Sequence, residues 1–318
     1  MNLIKEYNKA ALERLNISYD EVLRNPRKVL LNLLNKYRFS NTIDISTICY
    51  KLPLNRIRHI INLFLSRDFL FSKLYQIEFP ESVTEDTLFD WDFLALAHDL
   101  AYIYETDKFS SEINTIEDLY NKLNINTFLF CRDNDLFYTA STYTNYFRYK
   151  CKKFGVCDPG IVAGALLYND YERAENGLKQ LSIFNLAYVI ASHNIYIADI
   201  SDVDLYKEYA LAQLIPNSPN FMRLPTKHNK YAYYYLCLCM LDILEPINAF
   251  DLREEKKQFD LLSDLSYEIN NYGMIITSSC SSHIEYILKR IHDISVWMNV
   301  EMIVSHKKIE LRINKVYS

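Results

Sequence analysis

Five residues draw notice because their surroundings do not suit them. His98 and Asp99 stand side by side in LALAHDLAYIY, an almost wholly apolar stretch. Asp242 lies alone among Leu, Cys and Met in YYYLCLCMLDILEP. His59 has apolar neighbours on both sides in RIRHIINLF, and His193 repeats the pattern in VIASHNIYIAD. An ionisable group in an apolar interior is costly unless a cation, a counter-charge or hydrogen bonds compensate it. Singly, each has a plain account: a lone His on an apolar helix is commonly a satisfied core residue, and Asp242 can pair with Arg or Lys. Jointly, imidazoles and carboxylates arriving from several helices are the donor set with which helical bundles hold a divalent ion. Such a mixed set suits Mn, Fe, Co, Ni or Zn, with Mg also open, better than Ca.

The elements that must carry these residues read as helices, so the expected fold class is mainly α. The 318 residues include Gly 5 and Pro 8, too few turn-makers for an all-β sandwich, and no G-x-G-x-x-G or G-x-x-x-x-G-K cradle occurs. Half the residues are apolar and 24% are charged, which argues against disorder. Short amphipathic helices are expected over the first 40 or so residues, one of them opened by Asn25-Pro26. After Pro53, RIRHIINLFLSRDFLFSKL repeats its apolar positions at helical spacing. DFLALAHDLAYIYE is apolar almost all round and is expected as one buried helix. Residues 106–138 read as more polar and less regular, followed by a Tyr-rich helix through Lys153 that stops at Gly155. Asp158-Pro159 reads as an N-cap with Pro at the first helical position, opening GIVAGALLYNDYERA. Further helices are expected over 181–199 and 229–244, the second stopped by Pro246. Towards the end, Gly273-MIITSS reads as a strand, SHIEYILKRIHDISVWMN as an amphipathic helix and VEMIVSHKKIELRI as a hairpin turning at His306-Lys307-Lys308. The expected division is an N-terminal helical segment (1–50), a helical domain (51–250) and a small α+β region (251–318).

The order His59, His98-Asp99, Asp242 resembles the H…HD…D pattern of the HD-domain metal-dependent phosphohydrolases. AHDLAYIYE is similar to that family's HD-[IL]-[GA]-Y stretch, LCMLDILEP to the segment around its last Asp, and IASHNIY to a later helix that often adds a His. The resemblance covers about residues 50 to 250. It implies an HD-domain-like helical bundle in which His59, His98, Asp99 and Asp242 hold one divalent metal ion. The activity implied is hydrolysis of a phosphoester or phosphoanhydride, with a nucleotide as the expected partner. Asp99 then acts at the ion, His193 contacts phosphate or a second metal, and Asp158 orients the attacking water. Arg56, Arg58 and Lys152 would hold substrate phosphates, although each alone also reads as part of a solvated face. Tyr102 and Glu105 would line the pocket. CDPGIVAGALL resembles a D-H-G-I segment of some members, with Pro159 where their His stands. That departure removes one second-metal ligand or phosphate contact. It leaves open a catalytically degenerate HD-fold binding or regulatory module; a metal-dependent nuclease is a third reading, since related metal sites cut phosphodiesters.

Other constellations carry less. The second His-Asp pair, His292-Asp293, has polar neighbours and reads as surface. Cys237 and Cys239 lack the spacing of a zinc site and read as core. The run Ser279, Cys280, Ser281, Ser282 before His283 reads as a loop with a Ser N-cap rather than a nucleophile. YAYYYL at 231–236 reads as core and rim rather than a base-stacking platform. A net charge of −5 gives no basic field, which argues against nucleic acid as a bulk partner while leaving a local groove open. The start MNLIKEYNKAALERL lacks a signal peptide's apolar core, and no run of 18 apolar residues occurs. A cytoplasmic protein with reduced thiols and no membrane span is the expectation, with oligomeric state not legible.

Overall fold

The computed structural model describes residues 9–37, 39, 44–80, 83–105, 107–126, 140–172, 180–195, 230–244, 264–285, 287–288 and 300–313. In chain order the helices are α1 (Lys9–Leu15), α2 (Tyr19–Arg24), α3 (Pro26–Lys36), α4 (Ile45–Lys51), α5 (Leu54–Leu65), α6 (Leu70–Glu78) and α7 (Glu85–Ala97). After them come α8 (Asp107–Ser110), α9 (Ile116–Leu123), α10 (Ala140–Phe154), α11 (Pro159–Glu172), α12 (Gln180–Ser192) and α13 (Lys230–Leu244). Short 3-10 turns cover Ser66–Asp68 and Leu100–Tyr104. The strands are β1 (Ser266–Asn270), β2 (Gly273–Thr277), β3 (Val300–Ser305) and β4 (Lys308–Ile313). The chain is therefore mostly helical, with one antiparallel four-stranded sheet near its C-terminal end.

Contacts sort the chain into two compact units, the first drawn from residues 1–30, 53–95 and 225–318, the second from 31–52 and 96–224; one boundary falls inside α7. In the first unit α5 turns Ile57, Ile60, Ile61 and Phe64 inward, as its apolar spacing requires. Phe71 of α6 stacks on Trp91 of α7 with ring centroids 4.2 Å apart. The α13 side chains from Ala232 to Leu244 are buried all round. Two of its tyrosines fit such a position because their hydroxyls have acceptors: Tyr233 donates to the Leu74 carbonyl at 2.7 Å and Tyr234 to Asp90 at 3.3 Å. The sheet runs in the order β1-β2-β4-β3, with Ser305 opposite Lys308 closing the anticipated hairpin. Tyr267, Met274, Ile276, Ile309 and Leu311 form its buried side.

In the second unit α11 and α12 pack at unusually close range. A Cβ on Gly164 would stand 2.6 Å from the Ala187 carbonyl and 2.9 Å from the Ala191 Cβ, so glycine is what lets the two backbones approach. Gly155, with φ +67°, ends α10 in the left-handed conformation expected of a C′ residue. Asp158 caps α11, its Oδ1 accepting from the Ile161 amide at 3.0 Å.

Several elements differ from the sequence reading. DFLALAHDLAYIYE is not one helix: α7 stops at Ala97, His98 and Asp99 form a turn, and a 3-10 turn follows. The stretch 106–138 contains the regular helix α9, opened by a reciprocal capping box between Thr115 and Asp118. The helix expected over 181–199 ends at Ser192, with residues 196–199 outside the described residues. β1 was not anticipated. Residues 281–285 and 287–288 are helical, while the rest of SHIEYILKRIHDISVWMN, with His292 and Asp293, lies outside the described residues. No helix among the described residues is long and apolar enough to cross a membrane.

Candidate metal centre

His59 sits on the apolar face of α5 and is 1% exposed, and Asp242, on the fully buried α13, is 5% exposed. Although 183 residues apart in sequence, their side chains meet, His59 Nε2 lying 2.9 Å from Asp242 Oδ1. The rotation of α13 that aims Asp242 inward is held at several points. Lys230 pairs with Asp90 at 3.0 Å, Tyr233 reaches the Leu74 carbonyl, and the Tyr267 hydroxyl donates to the Leu244 carbonyl at 2.9 Å.

His98 follows the last residue of α7 and is fully buried. In an unbroken helix adjacent side chains diverge by about 100°. The turn after Ala97 removes that constraint. Asp99 adopts φ −110°, ψ 6°, its carbonyl accepts from the Tyr102 amide at 3.1 Å, and its Oδ2 comes to 3.7 Å from His98 Nε2. One ligand atom each from His59, His98 and Asp242 all lie within 4.8 Å of one another, and all three residues are buried. Two imidazoles and a carboxylate match the donor preference of Zn, Mn, Fe, Co or Ni. Asp99, the fourth expected ligand, is not one of these three; its carboxylate stands between His98 and His193.

His193 lies just past the end of α12. Its Nδ1 is 2.6 Å from the Ile190 carbonyl, and because a carbonyl only accepts, Nδ1 carries the proton and Nε2 keeps its lone pair in the neutral ring. Nε2 is 3.9 Å from Asp99 Oδ1, and the ring stands edge-on to that of His98 with centroids 5.3 Å apart. The end of α12 is braced from α10: Tyr143 and Ser192 share a 2.7 Å hydrogen bond, and Tyr146 donates to the Asn194 carbonyl at 2.6 Å. Gly160 makes room for the imidazole, since a Cβ there would fall 2.9 Å from His193 Cε1 and Nδ1. That glycine escaped the sequence reading; its position right after Asp158-Pro159 was the available signal. Asp158 is fully buried, with Oδ1 used as the cap and Oδ2 making no hydrogen bond among the described residues.

The expected phosphate-binding residues are less concentrated. Arg58 Nη2 donates to the Leu23 carbonyl at 3.1 Å, which gives that side chain a structural task. Arg56 is half-buried on α5, Lys152 is exposed in the last turn of α10, and Tyr102 and Glu105 are half-buried in and just after the 3-10 turn. Cys237 and Cys239 are fully buried core residues, and burial pushes both thiols well up. Among the described residues, Asp264 at 2.7 Å and Ser278 at 3.3 Å both meet the same His283 ring nitrogen, Nδ1. The helical residues that follow begin right after Cys280, whose sulfur lies 3.0 Å from the Ser282 hydroxyl and whose carbonyl accepts from the His283 amide at 3.2 Å.

Comparison of the chain with protein-family models, with curated proteins and with solved structures gives no match in any of the three.

Proposed function

We propose that the chain is a metal-dependent phosphohydrolase of the HD type, acting on a phosphoester or phosphoanhydride of a small molecule, a nucleotide by preference. The observation that carries this reading is the buried convergence of His59, His98 and Asp242. His59, His98 and Asp242 would hold one divalent ion, with Asp99 as the neighbouring carboxylate. When bound, such an ion polarises a phosphate oxygen and acidifies a coordinated water. The chain's own groups supply the rest. Asp99 can accept a hydrogen bond from a water, and so can Nε2 of His193 when its ring is neutral, because the Ile190 carbonyl holds the proton on Nδ1. Burial of all these groups raises the strength of each electrostatic contact. Arg56 and Lys152 remain the candidate phosphate contacts, and Tyr102 and Glu105 the candidate pocket lining.

A second reading, a binding or regulatory module built on the same fold, draws on one observation. Asp158-Pro159 performs a structural task as cap and first residue of α11. Metal analysis of protein purified without chelator, beside His98→Ala and Asp242→Ala, followed by a panel of nucleoside phosphates with added Mn, separates the readings. We expect about one ion per wild-type chain, loss of it in both variants, and phosphate release by the wild type alone. A full complement of metal with no turnover would favour the module, and a folded wild type that binds no metal would overturn the phosphohydrolase reading.

A further inference from the structure

β3 stands last in the sheet order β1-β2-β4-β3, so among the described residues no strand pairs with its outer side. In an antiparallel ladder the N–H and C=O groups of successive residues point alternately to the two neighbouring strands. The Lys307 carbonyl accepts from the Ser278 amide at 3.1 Å and the Ile313 amide donates to the Tyr272 carbonyl at 2.8 Å, so the odd-numbered residues of β4 and of the turn before it face β2. Lys308, Glu310 and Arg312 therefore face β3, where Ser305, Ile303 and Glu301 stand opposite them. The main-chain groups of Met302 and Val304 are left pointing outward from the sheet. Strand edges are ordinarily guarded by Pro, by Lys or by a bulge. VEMIVS has neither Pro nor Lys, and its residue-for-residue pairing with β4 leaves no bulge. Ile303 on one face is 38% exposed and Val304 on the other is 45% exposed. Val304 and Met302 share a face with the buried Ile309 and Leu311, so the apolar layer of the sheet runs out uncovered at this edge.

We propose that β3 pairs edge to edge with β3 of a second copy of this chain, about a two-fold axis through Ile303, joining the two sheets into one continuous antiparallel sheet. Residues directly opposite in an antiparallel pair share a face, so the axis passes through a residue and not between two. Placed at Ile303, it sets Met302 opposite Val304 of the second copy, Glu301 opposite Ser305, and Ile303 opposite itself. The outward groups of Met302 and Val304 then supply the ladder hydrogen bonds, and each Val304 is covered by Met302 from across the seam. Charge agrees with that register. On the other face Glu310 already holds Lys308 at 3.3 Å and Arg312 at 2.7 Å. Glu301 stands between its own Arg312 and, beyond the small Ser305, Lys308 of the second copy, so no like charges meet across the seam. This self-complementarity is what selects a second copy as the occupant. One shared strand pair buries less than the roughly 1,600 Å² of a standard interface, so the association depends on concentration. The inference concerns the sheet of the first unit alone and does not depend on the metal reading.

Analytical sedimentation of the full chain over a range of concentrations should show a reversible equilibrium between monomer and dimer. Ile303→Lys places two lysines directly opposite at the axis and should weaken the dimer by about tenfold or more. Because Ile303 is exposed, a dilute sample of that variant should keep the wild-type melting temperature. Register is read with Ile303→Cys. Opposite residues at such a non-hydrogen-bonded position have Cα atoms about 4.5 Å apart, close enough for a disulfide. Mild oxidation should therefore give a covalent dimer on a non-reducing gel that the wild type does not give. Ser305→Cys, whose counterpart would lie roughly 13 Å away along the strand, should crosslink far less. A wild type that stays monomeric at every concentration at which it is soluble would overturn the proposal. So would a dimer unaffected by Ile303→Lys, or crosslinking through Ser305→Cys in preference to Ile303→Cys. The wild-type sedimentation and the melting control decide even if a cysteine variant fails to fold.

Discussion

Asp264 gathers the hydroxyls of Ser278 and Ser279, the Ser279 amide at 3.0 Å and the His283 Nδ1 at 2.7 Å. Burial alone would raise its pKa; the donors outweigh that and hold the carboxyl well below the usual range. A carboxylate whose pKa is depressed in the folded state stabilises above its unfolded pKa of about 3.9, and the contribution fades as the pH falls from there through the folded value. Asp264→Asn should therefore cost about 1–3 kcal/mol near neutrality, the range for charged hydrogen bonds, and urea titrations should show the gap narrowing as the solution is acidified. A constant gap down to the acid limb would mean that shape rather than charge matters there. At this scale the sequence was legible where a residue type clashed with its immediate neighbours, as at His59, His98 and Asp242. Asp264 gave no such clash, because its partners lie 14 to 19 positions away and look like ordinary loop residues.

Among the elements, the helices with strong apolar spacing or a clear cap were readable, while α9 and the ending of α7 were not. Apolar spacing marked α5, α7 and α13, and the pairing of cap with Pro at its first position marked α11. No local signal stops α7 at Ala97, because Leu, Ala and Tyr on either side all favour continuation. The break follows from long-range packing, which a propensity argument does not contain. The capping box of α9 was present as Thr-x-x-Asp and was passed over because its surroundings were polar. Close contact between α11 and α12 offers a direct check. Gly164→Ala would force its new methyl against the Ala187 carbonyl, so the expected cost is about 1–3 kcal/mol, the range for overpacking. A thermal melt should fall by roughly 2–4 °C for each of those kcal/mol. An unchanged melting temperature would show that the two helices can slide apart freely.

For the whole chain, the arrangement of segments matters more than their type. The first unit takes residues 53–95 early and residues 225–318 late, with most of the second unit between them in sequence. Its early helices lean on the late one through Tyr233 to Leu74 and Lys230 to Asp90. A chain cut off after Leu224 should therefore leave α5 to α7 without a partner for their apolar faces. Limited proteolysis of that truncated chain should cleave within residues 53–95 at sites the full chain protects. Equal protection in both would show that α5 to α7 fold without α13.

The 183-residue separation of His59 from Asp242 also sets a timetable for biosynthesis. At translation speeds of about 5–20 residues per second, roughly ten to forty seconds pass between the emergence of one and the other. Throughout that interval α5 has its imidazole but not the carboxylate that answers it. A nascent polypeptide of this design must keep greasy surface shielded on the ribosome until α13 has been made.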